Sequence, residues 1–157
     1  MQAGLPALAL DPLQIAAGRD VVAEALDWAG SRLGDAPVLI YSSAAPDAVR
    51  SVQDRLGVGQ AGSLVEQALA DIARGLVRRG VGQLVVAGGE TSGATVQALG
   101  IEQLRIGAQV DPGVPWCHAL ATACDGHVHV ALKSGNFGAP DFFTKAFRQL
   151  ALSESGP

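Results

Sequence analysis

The sequence predicts an α/β fold, a layered, mixed and mostly parallel sheet flanked by helices, with a β-hairpin towards the C-terminus. Three observations predict it. Short apolar runs of strand length, such as residues 84–87, alternate with longer segments of helical period. The chain is 48% apolar but only 4% aromatic, so the layers must pack through small side chains. Asp125-Gly126, between two apolar stretches, is a hairpin signal.

Taken in order, Leu8, Ala9 and Leu10 form a short strand that Asp11-Pro12 turns. Asp20 caps a helix running to about Leu33, with Val21, Val22, Ala25, Leu26 and Ala29 inward and Gly34 at its end. Residues 38–41 make the next strand. Pro46 starts a helix that ends near Leu56-Gly57. A helix follows from Ser63 to Arg79. Ser63 and Glu66 are spaced as a capping box, and Leu64, Val65, Ala68, Leu69, Ile72, Ala73, Leu76 and Val77 share one face. Arg78 and Arg79 lie where the helix dipole favours cations, which gives them a structural role, and Gly80 stops the helix.

Residues 84–87 then form a strand covered on both faces and central in the sheet. Gly88 and Gly89 break it. Thr91 or Ser92 caps the next helix, which Gly100 ends. Residues 104–110 alternate as a strand. Residues 111–117, DPGVPWC, form a rigid loop around Trp116, which is either folded into the core or a cleft wall. Residues 120–124 and 128–133 pair as a hairpin. Asp141 caps a final helix through Phe142, Phe143, Ala146, Phe147 and Leu150, and the tail frays. No internal repeat or linker marks a boundary, so residues 1–157 are expected to form one domain.

Composition excludes several classes of function. The net charge is −4 and the basic residues are dispersed, which argues against a nucleic-acid partner. No apolar run reaches membrane-span length, so no membrane partner is expected. The N-terminus has no signal-peptide pattern. Two cysteines make no disulfide framework, and a reducing cytoplasm is the simpler setting. The sequence leaves the oligomeric state open, a homo-oligomer included.

Residues 84–100, LVVAGGETSGATVQALG, place a strand, a glycine turn and a helix in succession. Such a turn aims free backbone N–H groups and the positive end of a helix dipole at one spot, which suits a phosphate. A bare Gly-Gly turn serves equally as a tight βα connection. GGETSG is not a P-loop, since no Lys follows its last glycine, and it lacks the G-x-G-x-x-G spacing of dinucleotide sites, which weighs against an oxidoreductase module. A phosphate here needs a cation from elsewhere. The chain's two lysines, Lys133 and Lys145, flank a second glycine motif, KSGNFGAPDFF. Lys133, beside Gly135, Asn136 and Gly138, either reaches the phosphate or is a solvated strand-end residue.

Cys117, His118, Cys124, His127 and His129 match no familiar zinc spacing, so no metal site is assigned to the chain. A Cys117–His nucleophile pair has no activating context. Asp111 and Asp141 could serve a metal ion only from its side, and loop or capping roles explain both. No catalytic residue is assigned.

Three motifs stand in order: GGETSG at 88–93, IGAQVDPGVPW at 106–116 and LKSGNFGAPDFF at 132–143. Together they resemble the C-terminal, nucleotide-binding domain of the four-carbon acid sugar kinases, over about residues 8–150. Members of that family phosphorylate threonate, erythronate or 3-oxo-tetronate with ATP. The resemblance implies that Gly88, Gly89, Glu90, Thr91, Ser92 and Gly93 hold ATP phosphates. It implies that Ser134, Gly135, Asn136 and Gly138 close the other side of the nucleotide, with Pro112 and Gly113 lining the same cleft. Mg²⁺ would accompany the ATP. The family's N-terminal domain, which carries the acid-sugar site, is absent here, as is a Gly-Ser-Cys-Ser segment expected just before residue 1. The chain is therefore expected to bind ATP without turning over sugar acid. The rival reading is a non-catalytic regulatory or interaction domain that kept the fold.

Overall fold

The computed structural model describes residues 4–34, 36–42, 57–134, 138–139 and 141–154. The chain divides into two compact units, residues 1–72 and 73–157. No helix among the described residues is long and apolar enough to cross a membrane.

The first unit opens with β1 (Ala7–Ala9), which pairs in parallel with β2 (Leu39–Tyr41). Between them Asp11 and Pro12 start a short helix, α1 (Pro12–Ala16), rather than a simple turn. The Asp11 carboxylate accepts from the Leu13 amide at 2.9 Å, and Pro12 at the first helical position gives up no needed donor. Asp20 caps α2 (Val21–Gly30) through the Ala23 amide at 3.0 Å, and Val21, Ala25 and Ala29 are buried as the periodicity requires. This helix stops at Gly30, short of Leu33. The Ser31 hydroxyl and the Arg32 guanidinium both donate to the Trp28 carbonyl and satisfy the last turn there. The helix expected at 46–56 lies outside the described residues.

Helix α3 (Val58–Arg78) crosses the division between the units. It begins at Val58, so Ser63 lies inside it and caps nothing. The apolar face explains the extension: Ala61 is already buried two residues before the expected start. Ala68, Ile72, Ala73, Leu76 and Val77 are buried, and Leu69 is half-buried. Arg78 donates through Nε and Nη2 to the Ala123 carbonyl at 3.2 and 3.0 Å, a structural role, and Gly80 breaks the helix at φ +95°.

The second unit is built on a four-stranded mixed sheet in the order β3-β6-β5-β4. Its strands are β3 (Gln83–Ala87), β4 (Arg105–Asp111), β5 (Val114–Ala121) and β6 (Gly126–Lys133). The β3–β6 pair is parallel, whereas β6–β5 and β5–β4 are antiparallel. Helices cover both faces. Val77, with Leu99 at the end of α4 (Gly89–Ala98), packs on Val128 and Val130. On the other face α5 (Phe142–Glu154) places Phe142, Ala146 and Leu150 on Val114, Trp116 and Ala131.

Three expectations need correction. First, β3 is an edge strand among the described residues rather than a central one, and of its residues only Val86 is fully buried. Strand order is set by the return of β6, which local sequence does not encode. Second, β4 does not alternate: its residues through Gln109 are exposed, and only Val110 and Asp111 are buried. Third, residues 111–117 are not a loop. Pro112-Gly113 alone turns β4 into β5, with Gly113 at φ +80°, and Trp116 is a strand residue. Pro115 is tolerated in this interior strand because it faces Gln109, between two register shifts, where the ladder is already interrupted. The C-terminal hairpin therefore starts at Val114 instead of 120. Residues 122–124 form a single 3₁₀ turn before Asp125, which takes the left-handed conformation at φ +51°. Trp116 is 1% exposed, and its Nε1–H donates to the Ala146 carbonyl at 2.9 Å, so the core alternative holds.

Candidate functional site

The glycine turn begins where β3 ends. Gly88 takes φ +113°, a region that side chains rarely enter, and stands at the N-cap of α4 with no side-chain cap bond. Thr91 and Ser92 therefore fall within the first turn, and neither caps. The first intrahelical bond runs from the Ser92 amide to the Gly88 carbonyl at 2.9 Å. The amides of Gly89, Glu90 and Thr91 precede it and stand at the positive end of the helix dipole. Gly89 is exposed, and a Cβ placed there would meet only Ser134 Cβ, at 3.9 Å. Gly93 is also exposed, with nothing within 4 Å of an added Cβ. Ser92 is different: it is 8% exposed, and its Oγ has no hydrogen-bond partner. A buried hydroxyl without a partner is costly, and a bound acceptor would relieve it.

The second glycine motif leaves the same edge. Ala87 is in register with Lys133, and the Gly88 amide donates to the Lys133 carbonyl at 2.8 Å. Lys133 ends β6 half-buried, and Ser134 follows it, exposed. Gly138 takes φ +91°. A Cβ there would come within 2.9 Å of the Phe142 ring and 3.2 Å of Lys133 Cε. Gly135 and Asn136 lie outside the described residues.

Pro112 and Gly113 belong to this end too. Strand β5 runs antiparallel to β6, so its first residue, Val114, lies at the end where β6 finishes, and Asp111 pairs with Val114. All three sequence motifs thus reach one edge of the sheet, the carboxyl end of the two parallel strands, where open α/β sheets bind ligands.

No local sequence signal marks how Asp111 is used. It is 7% exposed. One carboxylate oxygen accepts from the Ala139 amide at 3.0 Å and the other pairs with the Lys145 ammonium. The Lys145 hydrogen bond, then that of Ala139, hold the Asp111 carboxyl below the usual carboxylate range. Lys145 is thereby an anchor for this carboxylate.

The histidines gather elsewhere on the sheet. The rings of His118 and His127 stack with centroids 5.0 Å apart, and His118 and His129 tilt at 5.0 Å. Among the described residues no group of three or more His, Cys, Asp or Glu is arranged to hold a metal ion. Cys117 points to the opposite face, into the apolar cluster with Val128 and Val130, and burial pushes its thiol up, the reverse of an activated nucleophile.

Residues 1–143 match the model of a nucleotide-binding C-terminal domain family. The chain is 58% identical over 145 residues to the 3-oxo-tetronate kinase of Burkholderia multivorans, covering 92% of this chain and 33% of that protein. It is 55% identical over 148 residues to the 3-oxo-tetronate kinase of Pseudomonas savastanoi pv. phaseolicola, covering 93% and 33%. The crystal structure of Haemophilus influenzae protein HI1011 superposes with a TM-score of 0.83 at 36% identity, over 92% of this chain and 34% of that one. The chain spans about a third of the length of each of these proteins.

Proposed function

The chain belongs to the nucleotide-binding C-terminal domain family of the four-carbon acid sugar kinases, and from that membership we propose that it forms the ATP–Mg²⁺ site of a cytoplasmic kinase acting on 3-oxo-tetronate or a related tetronate. The observation that carries the reading is the register of Ala87 with Lys133, which sets GGETSG beside the lysine of the second motif. In this reading residues 1–157 serve as one nucleotide-binding domain. The amides of Gly89, Glu90 and Thr91 donate to phosphate oxygens, the Ser92 hydroxyl finds its acceptor there, and the Lys133 ammonium supplies the cation that GGETSG lacks. The bare backbone at Gly89 and Gly93 lets the phosphates approach. Ser134, Gly135, Asn136 and Gly138 close over the nucleotide, and Pro112-Gly113 lines the cleft. Mg²⁺, when bound, neutralises phosphate charge. The acid sugar binds through the N-terminal domain that the family resemblance implies, which also has to provide any base for the attacking hydroxyl.

Titration calorimetry of the chain with ATP–Mg²⁺, with NAD as control, tests the reading. Saturable ATP binding without NAD binding is expected. A turnover assay with threonate, erythronate and 3-oxo-tetronate should show ATP consumption only when the N-terminal domain is supplied. Absence of ATP binding would overturn the assignment, and robust turnover by the chain alone would overturn the division of labour.

A further inference from the structure

We infer that Asp111 is a positioning residue that aims Lys133 at the nucleotide by fixing the backbone of Gly138 and Ala139. The inference rests on the proposed nucleotide site. A buried carboxylate needs partners, and both of those found here come from the segment after β6. The Ala139 amide binds one oxygen at 3.0 Å and the Lys145 ammonium binds the other. One side chain at the end of β4 therefore holds that segment at two points. Gly138 lies next to the first of them. The Phe142 ring and the stem of Lys133 both crowd it, at 2.9 Å and, for Lys133 Cε, 3.2 Å from the position of an added Cβ. Where Gly138 sits decides where the lysine stem can run. Lys145 neutralises the clamp, and Lys133 is the lysine presented at the edge where Gly88 begins the helix. The two lysines thus divide one task.

The test is a double-mutant cycle in the 157-residue chain. ATP and adenosine are titrated by calorimetry into the wild type, Asp111→Ala, Lys133→Ala and the double variant. Asp111→Asn, which keeps an acceptor for Ala139, is included so that a variant with an intact fold is measured. Amide exchange at Ala139 reports the clamp without any ligand. Asp111→Ala is expected to weaken ATP about tenfold, the size of one lost charge-assisted contact, with adenosine unchanged and Ala139 exchange accelerated. Asp111→Asn should lose less. Once Lys133 is gone, removing Asp111 should cost ATP affinity little more, because both changes remove one interaction. Additive losses, or equal losses for ATP and adenosine, would overturn the positioning role while leaving the nucleotide site standing. A wild-type chain that binds no ATP would overturn the site and this role together.

Discussion

The backbone amide of Gly88 donates to the carbonyl oxygen of Lys133 at 2.8 Å, which closes the parallel β3–β6 ladder one step beyond the Ala87–Lys133 pair. That single bond joins two glycine motifs that are far apart in sequence. It also fixes which glycines carry the backbone and which leave space.

Gly89→Val and Gly93→Val should fold normally and lose ATP. Neither residue has a left-handed φ, and an added Cβ meets nothing closer than 3.9 Å. The two positions lie four residues apart on one helix face, so either valine obstructs the approach to the first-turn amides. Gly88→Val should instead destabilise the fold by about 1–3 kcal/mol, because its φ of +113° is unsuited to a side chain. Thermal melts and ATP titration separate the two outcomes. Wild-type ATP affinity in a folded Gly89→Val variant would remove the phosphate role of the turn.

Lys133→Ala should weaken ATP by about 10- to 100-fold, as for the loss of one hydrogen bond to a charged group, and leave adenosine nearly untouched. Parallel titrations of the two ligands measure this directly. Equal loss of both would mean that Lys133 supports the fold of the edge and not a phosphate.

Acid should expose the contribution of Asp111. Its carboxyl is held low in the folded state by Lys145 and the Ala139 amide. The stabilisation is therefore fully present above the unfolded carboxylate value of about 3.9 and is lost as pH falls through the lower folded value. Asp111→Asn should lack this component, so the stability gap between the two proteins narrows on acidification below about pH 4. Urea melts across that range check it. A gap that stays constant with pH would show that the charge of Asp111 contributes nothing.

The α3 face sets a scale for the core. Ile72 is 2% exposed, and Ile72→Ala should cost about 2–5 kcal/mol, whereas half-buried Leu69→Ala should cost less. Trp116→Phe removes the donor to the Ala146 carbonyl and should cost about 1–3 kcal/mol beyond the lost packing. Chemical denaturation gives both figures. Equal losses at Leu69 and Ile72 would contradict the burial difference.

Much of this was legible in the sequence because it is local. Asp20 caps as its type and position require, and the 84–100 stretch delivers a strand, a turn and a helix. The parallel course of β6 beside β3 is legible only on the condition that both glycine motifs serve one ligand, because two strands then have to end at one edge. What was missed depends on distant partners. Pro115 argued against a strand until the interrupted β4 ladder opposite it was known. Ser63 suggested a cap, but burial of Ala61 carried the helix back past it. Nothing local marks Asp111 as the partner of Lys145 and Ala139, because that contact requires the end of β4 and the start of α5 to meet.

The sheet order has a consequence for the order of assembly. Strand β3 leaves the ribosome before β4, β5 and β6, yet among the described residues its partner in the sheet is β6, the last strand to be made. Until β6 arrives, β3 is an unpaired edge, and Gly88 lacks the carbonyl that receives its amide. The antiparallel β4–β5–β6 meander needs only short-range closures, whereas the β3–β6 ladder spans the whole meander and is the slow, long-range step. The glycine turn is thus translated early and set into place late.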